Sequence, residues 1–442
     1  MRILVGGGTD VPPPYGGLAR RILHNCAQWE QRHQVTLLLR WKKPNEDYMG
    51  ATRTRVRHVY SFQPEEGARR DNLLRERLLP ALRVLATRPG LAGTITRQRE
   101  LLYTGKRGLK RLSALADDLN YAAALDDAIR EDGIEVIQSH YARQETFVTQ
   151  LVAARHGIPV VMTTYAEAVV WPEEGEKITQ QALYGAMPEW DPLFRQTFNR
   201  SAYVIAPSWH CAQGPLRFIP KERVVVAYAG IDAEAIIANR QHRDEYRREL
   251  GVADDKVILY VGQITPRKGP QYLAQAMPEV LKREPKARAV FIGSDLGYLD
   301  ELKALCEPFK DRVTFTGGIS TEKLLKYYGA GDVLAFPTAT DRECMGMSMK
   351  EAMAAGTPVV VFRAGGAPEA VEPGVTGYVV EVGDTAALAD RLVACLNGQG
   401  SAMRDACVRR ARALFDVRST AAQEEAVLER ALCEARQRRG RR

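Results

Sequence analysis

No apolar run in this 442-residue chain approaches the ~20 residues that a membrane-spanning helix needs, which argues against an integral membrane protein. Cysteines are few and scattered: Cys26, Cys211, Cys306, Cys344, Cys395, Cys407 and Cys433 form no CxxC pair, and none has a histidine at metal spacing. A disulfide framework and a zinc module are thereby excluded, and the thiols read as reduced and mostly buried. Cys344 stands beside Glu343 but reads as a packing residue. The loop after the first strand pattern lacks the GxGxxG spacing of a nicotinamide site. No DxD-like carboxylate cluster stands in a candidate loop, so no metal and no resident cofactor are expected. Short-period repeats and low-complexity tracts are missing. The opening "MRILVGGG" is too short for a signal peptide, so the chain is expected to start at Met1 and stay in the cytoplasm.

The composition that is present is ordinary for a globular protein, with 45% hydrophobic and 26% charged residues. The net charge of +8 is unevenly spread: residues 65–111 hold twelve Lys/Arg against five Asp/Glu. Most of the imbalance therefore sits in one segment. That pattern implies one local basic surface rather than a body wrapped in nucleic acid.

Short apolar runs alternate with amphipathic helical patterns through two halves. The first half gives strands "RILVGG", "QVTLLLR", "VRHVY", "IEVIQS", "IPVVMTTY" and "AYVIAP", with helices at 18–32, in "LADDLNYAAALDDAIRED" and in "ARQETFVTQLVAARHG". The second half gives strands "KVILYVG", "RAVFIG", "RVTFTGG", "DVLAFPT" and "PVVVF" between helices. This alternation predicts an α/β fold of two doubly wound Rossmann-like domains facing a cleft. The expected organisation is 1–215, with a basic helical insertion at about 65–115; then 216–415; then a crossover helix and basic tail at 416–442. In such sheets ligands sit at the carboxyl ends of the strands. The loops of interest are therefore 6–17, 262–269, 315–320 and 337–348.

Each loop has a plain structural explanation as well as a functional one. "GGGTDVPPPYGG" places Gly16 and Gly17 at the start of a helix, where backbone amides bind anions; it could equally be a simple turn. "VGQITPRKG" presents Arg267 and Lys268, a planar fork and a point charge suited to a diphosphate, though exposed Arg-Lys pairs are common. "DRECMGMSMKEAMAAGTPVVVF" is the most specific. Glu343 stands in the loop, Gly346 permits close approach, Ser348 opens a helix and Glu351 lies in its first turns. Ser348 and Glu351 also fit a helix-capping box, which leaves Glu343 unexplained. "FRAGGAPEAV" adds a second Gly-Gly turn.

Together these loops resemble the retaining nucleotide-sugar glycosyltransferases of glycosyltransferase family four, which have the GT-B fold. The carrying residues are Glu343 and Glu351 as E-x7-E, followed by "EAMAAGTPVV" and "AGGAPE", with "VGQITPRKG", "PPPYGG" and "HGIPVVMTTY" upstream. The resemblance spans nearly the whole chain apart from the basic segment. It implies a hexosyl-type transfer with retention from a nucleoside-diphosphate sugar. Arg267 and Lys268 would hold the diphosphate and its departing charge, Glu351 the ribose, and Glu343 with amides around Met345, Gly346, Met347 and Ser348 the sugar. Gly16 and Gly17 would approach the phosphates, Gln263 would lie beside them, and Gly317 to Ile319 would touch the base. The chain departs from the family pattern at Gln263, where Arg is common, at Tyr165, where His is frequent, and at Ala229, where Asn is usual.

His140, Tyr165 and Glu167 are weaker acceptor-side candidates, with core roles equally open to His140. The acceptor is expected to be a small molecule, an alcohol or thiol, or a glycan. Rival assignments are a non-catalytic GT-B-like binding protein and a sugar-nucleotide epimerase. No nucleic-acid partner is expected, and a homo-oligomer is left open. In the basic segment Leu73, Leu74, Leu78, Leu82 and Leu85 fall near one helical face, and Leu109, Leu112, Leu115 and Leu119 continue similarly. A peripheral membrane contact would use such a face, but Pro80 and Glu76 interrupt it. The favoured expectation is leucines packed on the domain or on a partner chain.

Overall fold

The computed structural model describes residues 1–6, 17–42, 48, 51–60, 73–103, 108–166 and 191–441. The chain divides into two compact units, Met1–Ala227 with Ala421–Arg442, and Tyr228–Thr420.

The first unit is built on a parallel sheet of β1 (Arg2–Gly6), β2 (Gln34–Trp41), β3 (Arg55–Tyr60), β4 (Val136–His140), β5 (Val160–Thr163), β6 (Tyr203–Ala206) and β7 (Val224–Val226). Their order is β3-β2-β1-β4-β5-β6-β7, so the winding reverses between β1 and β4. Every residue of β4, β5 and β6 is buried, as expected of strands covered on both faces. One core layer joins Ile3, Val5, Leu37 and Ile205 to Leu428 and Ala431 of the C-terminal helix Val417–Gly440. A buried ion pair fastens that helix. Arg21, on helix Gly17–Trp29, donates to Glu424 at 2.7 Å, and Gln138 of β4 donates to the other carboxylate oxygen at 2.6 Å.

The basic segment is mostly helical where it is described, with helices Leu79–Thr87, Pro89–Thr96 and Arg99–Leu102 preceding Gly108–Glu131. Its leucine face differs from expectation. Ala81, Val84, Leu91 and Ile95 make the buried contacts, while Leu82, Leu85, Leu109 and Leu112 face outward and only Leu78, Leu115 and Leu119 pack inward. The side chains of Leu73 and Leu74 lie outside the described residues. The inward stripe is shifted because small Ala and β-branched residues let this short helix pack closely on Gly108–Glu131. Several cations here are engaged within the unit: Arg77 pairs with Asp117 at 3.2 Å and Arg88 with Asp127 at 2.7 Å. No helix among the described residues is long and apolar enough to cross a membrane.

The second unit carries β8 (Lys256–Val261), β9 (Ala287–Ile292), β10 (Val313–Gly317), β11 (Val333–Phe336), β12 (Val359–Phe362) and β13 (Gly377–Val380). The strands are parallel in the order β10-β9-β8-β11-β12-β13, with the reversal between β8 and β11. At such a reversal the neighbouring loops diverge to opposite faces and leave a crevice at the strand ends. The loops after β8 and β11 contain Lys268 and Glu343.

Candidate functional site

Lys268 and Glu343 meet. Their ammonium and carboxylate form an ion pair with both side chains partly exposed, 21% and 14%. The contact depends on how the two loops are held. Gly269 sits at φ +77, and a side chain there would overlap the carbonyl of Pro337, just beyond β11. Glycine therefore allows the loop after β8 to lie directly on the end of β11. The buried Tyr260 hydroxyl donates to the Gln263 carbonyl at 3.0 Å, fixing the start of the same loop. Burial raises the Tyr260 pKa well above the ordinary phenol value; Arg267 lowers it and Glu343 raises it, so both charges are felt at this hydroxyl. Arg267 and Gln263 are exposed on the loop.

The Glu343 loop is clamped from its other side by the second Gly-Gly turn. Gly366 donates to the Glu343 carbonyl at 3.0 Å, and Gly365 donates to Asp341 at 3.0 Å. Gly365 has φ +55, and a side chain there would collide with the Glu343 carbonyl. The turn in "AGGAPE" thus sets where Glu343 stands.

Helix Met347–Ala354 follows, with Gly346 as its N-cap and no side-chain cap. The capping box suggested by Ser348 and Glu351 is not formed. Ser348 lies inside the helix, two residues past the capping position at Gly346. Glu351 is buried and accepts from the Tyr328 hydroxyl at 2.8 Å. The uncapped first turn leaves backbone amides to another acceptor, and a helix N-terminus favours an anion. Gly346 has no room for a side chain against the Phe336 ring. Met345 is buried, and Met347 and Ile319 both pack against the core layer that contains it. Gly317, exposed at the end of β10, accepts from the Gly293 amide at 3.0 Å. The structure thus places Gln263, Arg267, Lys268, Gly317, Ile319, Glu343, Met345, Gly346, Met347, Ser348 and Glu351 within one unit, at the ends of its strands, on the loops that follow them and on helix Met347–Ala354.

Two contributors escaped sequence reasoning. Lys350 is fully buried and donates to the Ala229 carbonyl at 2.6 Å, so the position where the family has Asn is held through its backbone. Tyr328, 23 residues from Glu351, is the second. A charged pair, Lys350-Glu351, inside an otherwise apolar helical run was the available signal.

At the strand ends of the first unit, His140 is fully buried and lies 3.1 Å from the Tyr165 hydroxyl. Burial, then the nearby Arg21 cation, lowers its pKa to about 3, so the ring is neutral at physiological pH. Tyr141, next in the chain, has φ +66 and packs its ring 4.6 Å from that of Tyr165. A bulky residue held at positive φ stores strain. Gly17 opens helix Gly17–Trp29, while Gly16 and Glu167 lie outside the described residues. One group among the described residues has metal-like spacing: His33, Glu425 and Glu429. Two of its members are already engaged, since His33 meets the N-terminal amine and Glu425, and Arg32 also pairs with Glu425.

Residues 15–235 match the profile of Glycosyltransferase Family 4, and residues 242–414 match that of Glycosyl transferases group 1. The first match covers half of the sequence, and the chain belongs to glycosyltransferase family four. It is similar to the D-inositol 3-phosphate glycosyltransferase of Corynebacterium efficiens, at 30% identity over 64% of this chain and 68% of that protein. It is also 39% identical to an uncharacterized glycosyltransferase of Methanocaldococcus jannaschii over 36% of this chain. That alignment spans only 42% of the archaeal protein, about two fifths of its length. Among solved structures, Anabaena HepE in complex with UDP aligns with a TM-score of 0.68 at 20% identity, covering 97% of this chain and 100% of that one. The two parallel-sheet units are those of the GT-B fold.

Proposed function

We propose that this chain transfers a sugar from a nucleoside-diphosphate sugar to a small-molecule or glycan acceptor, with retention at the anomeric carbon. The observation that carries the proposal is the Lys268–Glu343 pair on the loops that diverge between β8 and β11, beside an uncapped helix N-terminus. Lys268 is ion-paired with Glu343. A donor diphosphate takes over Lys268 and Arg267, and Glu343 is then released to accept from hydroxyls of the transferred sugar. Amides from Met345 to Ser348 receive the remaining phosphate charge. Glu351, oriented by Tyr328, is assigned to the ribose, and the segment from Gly317 to Ile319 to the base. As the bond from the anomeric carbon to the diphosphate oxygen breaks, the acceptor oxygen or sulfur bonds on the same face. Its proton passes to the departing phosphate oxygen. No separate base is then required.

The cations Arg267 and Lys268 supply the charge that a divalent metal supplies elsewhere, so activity should survive EDTA. The UDP bound by HepE makes a uridine donor the first to test. Thermal shift against UDP, GDP, ADP and dTDP tests the site: one diphosphate should stabilise the chain, and the shift should vanish in Lys268→Ala. Equal shifts in both proteins would remove Lys268 from the donor site.

A further inference from the structure

The first unit has a cavity of about 540 Å³ at the amino ends of β5, β6 and β7, the edge of the sheet away from His140 and Tyr165. Such a volume suits a small organic ligand. Its lining includes Arg200, Arg223, Arg438 and Arg439 against one acid, Glu434. The acid is already shared: Tyr203 donates to it at 2.5 Å, and Arg430 and Arg438 approach at 3.4 and 3.6 Å.

The arginines are placed by different means. Arg439 donates to the carbonyls of His156 and Gly157 at 2.5 Å, in the space left because residue 157 is glycine. Arg223 donates to the carbonyls of Asn199 at 3.0 Å and of Ala202 at 3.3 Å, and to that of Ser201. Burial and then repulsion from Arg438 lower the Arg223 pKa below its ordinary value. Two cations that repel across a cavity gain when an anion enters between them.

A second, independent feature points to a ligand with a hydrogen-bond donor. Gln150 lines the cavity and is 3% exposed. Its amide nitrogen donates to the Thr197 carbonyl at 2.7 Å and to the Ser201 hydroxyl at 2.9 Å. A carbonyl only accepts, so the orientation of the Gln150 amide is settled. Its oxygen, Oε1, is buried and has no partner among the described residues. A buried acceptor left unpaired is costly, and a ligand hydroxyl would satisfy it.

We propose that this cavity binds a phosphorylated polyol such as a sugar phosphate, with the phosphoryl group between Arg223 and Arg438 and a hydroxyl donating to Gln150. The site is separate from the donor site of the second unit and joins the C-terminal helix to the strand ends of the first. Calorimetric titration of the full chain with glucose 6-phosphate, inorganic phosphate and glucose tests it. Glucose 6-phosphate should bind saturably, about tenfold or more tighter than either probe that carries only half of its groups. Arg438→Glu, on an exposed side chain whose loss does not threaten folding, should weaken that binding by about tenfold or more. Lys268→Ala should leave it unchanged. Undiminished binding in Arg438→Glu, loss confined to Lys268→Ala, or no saturable binding by the parent chain would each overturn the site. Equal affinity for glucose 6-phosphate and inorganic phosphate would overturn the polyol assignment.

Discussion

The two sheets end very differently at their carboxyl edges. In the second unit the loops after β8 and β11 are locked by close backbone contacts, with Gly269 on Pro337 and Gly365 on the Glu343 carbonyl, and they bring opposite charges together. In the first unit the corresponding edge has a buried neutral imidazole, a tyrosine hydroxyl and a strained Tyr141. One edge is built around a paired ammonium and carboxylate, Lys268 and Glu343. Among the described residues of the other, a cation, Arg143, lies 3.9 Å over the Tyr141 ring beside the neutral imidazole, with no carboxylate ion-paired to a lysine as at Glu343. Under the proposed function the glycine-locked, charged edge would take the donor, and the edge with His140 and Tyr165 would be left to shape the acceptor site.

The comparison breaks first if the first unit does not depend on its own buried charges. Glu424→Ala leaves Arg21 buried without its carboxylate and should cost about 3–5 kcal/mol of stability. Chemical denaturation monitored by circular dichroism reads this, and a loss below ~1 kcal/mol would contradict the pairing described. Next is the clamp on Glu343. Gly365→Ala forces a side chain against the Glu343 carbonyl, and a displacement of about 1 Å at such a site costs on the order of 10²-fold in rate. Steady-state kinetics should show kcat falling much further than the melting temperature does; unchanged kcat would separate the turn from the site.

A smaller effect is expected at Glu351. Tyr328→Phe removes the hydroxyl that donates to a buried carboxylate, worth about 1.5–3 kcal/mol for a bond to a charged group. Donor KM should rise about tenfold or more, and an unchanged KM would remove Glu351 from donor binding. The effect that is smallest near neutral pH concerns proton uptake. The folded-state pKa of His140 is lowered to about 3, while the unfolded chain takes up that proton near the ordinary value of 6.5. Between these values the unfolded state binds more protons, so stability falls as pH drops from about 6.5 towards 3, by at most about 1.4 kcal/mol per pH unit for this group. His140→Asn should flatten that slope in denaturation curves taken across the range; an identical slope would place the titration elsewhere.

Legibility in the sequence followed local density. The interior strands were visible as apolar runs, and the E-x7-E stretch carried its glycines, carboxylates and helix start within thirty residues. The edge strand β7 escaped notice because three residues are too short to form a pattern, and β13 because it opens on Gly377 and is only partly buried, without the fully buried apolar run of β5 or β12. Long-range partners escaped for another reason. Nothing local links Arg21 to Glu424, or Lys350 to the carbonyl of Ala229, across 403 and 121 residues. The S-x-x-E spacing at Ser348 misled because the helix starts at Met347, and tertiary pairing with Tyr328 claims Glu351. In the basic segment the leucine pattern fitted a helix. It could not show that Ala81 and Val84 would be the residues turned inward.

The most direct measurement is release of nucleoside diphosphate from UDP-, GDP-, ADP- and dTDP-sugars, compared between the unaltered chain and Lys268→Ala. The unaltered chain should turn over one donor, slowly without acceptor. Lys268→Ala should lower that rate by about 10²–10³ while retaining its melting temperature. Equal rates in both proteins at saturating donor, or no release from any donor by the unaltered chain, would contradict the assignment of Lys268 and Glu343 to sugar transfer.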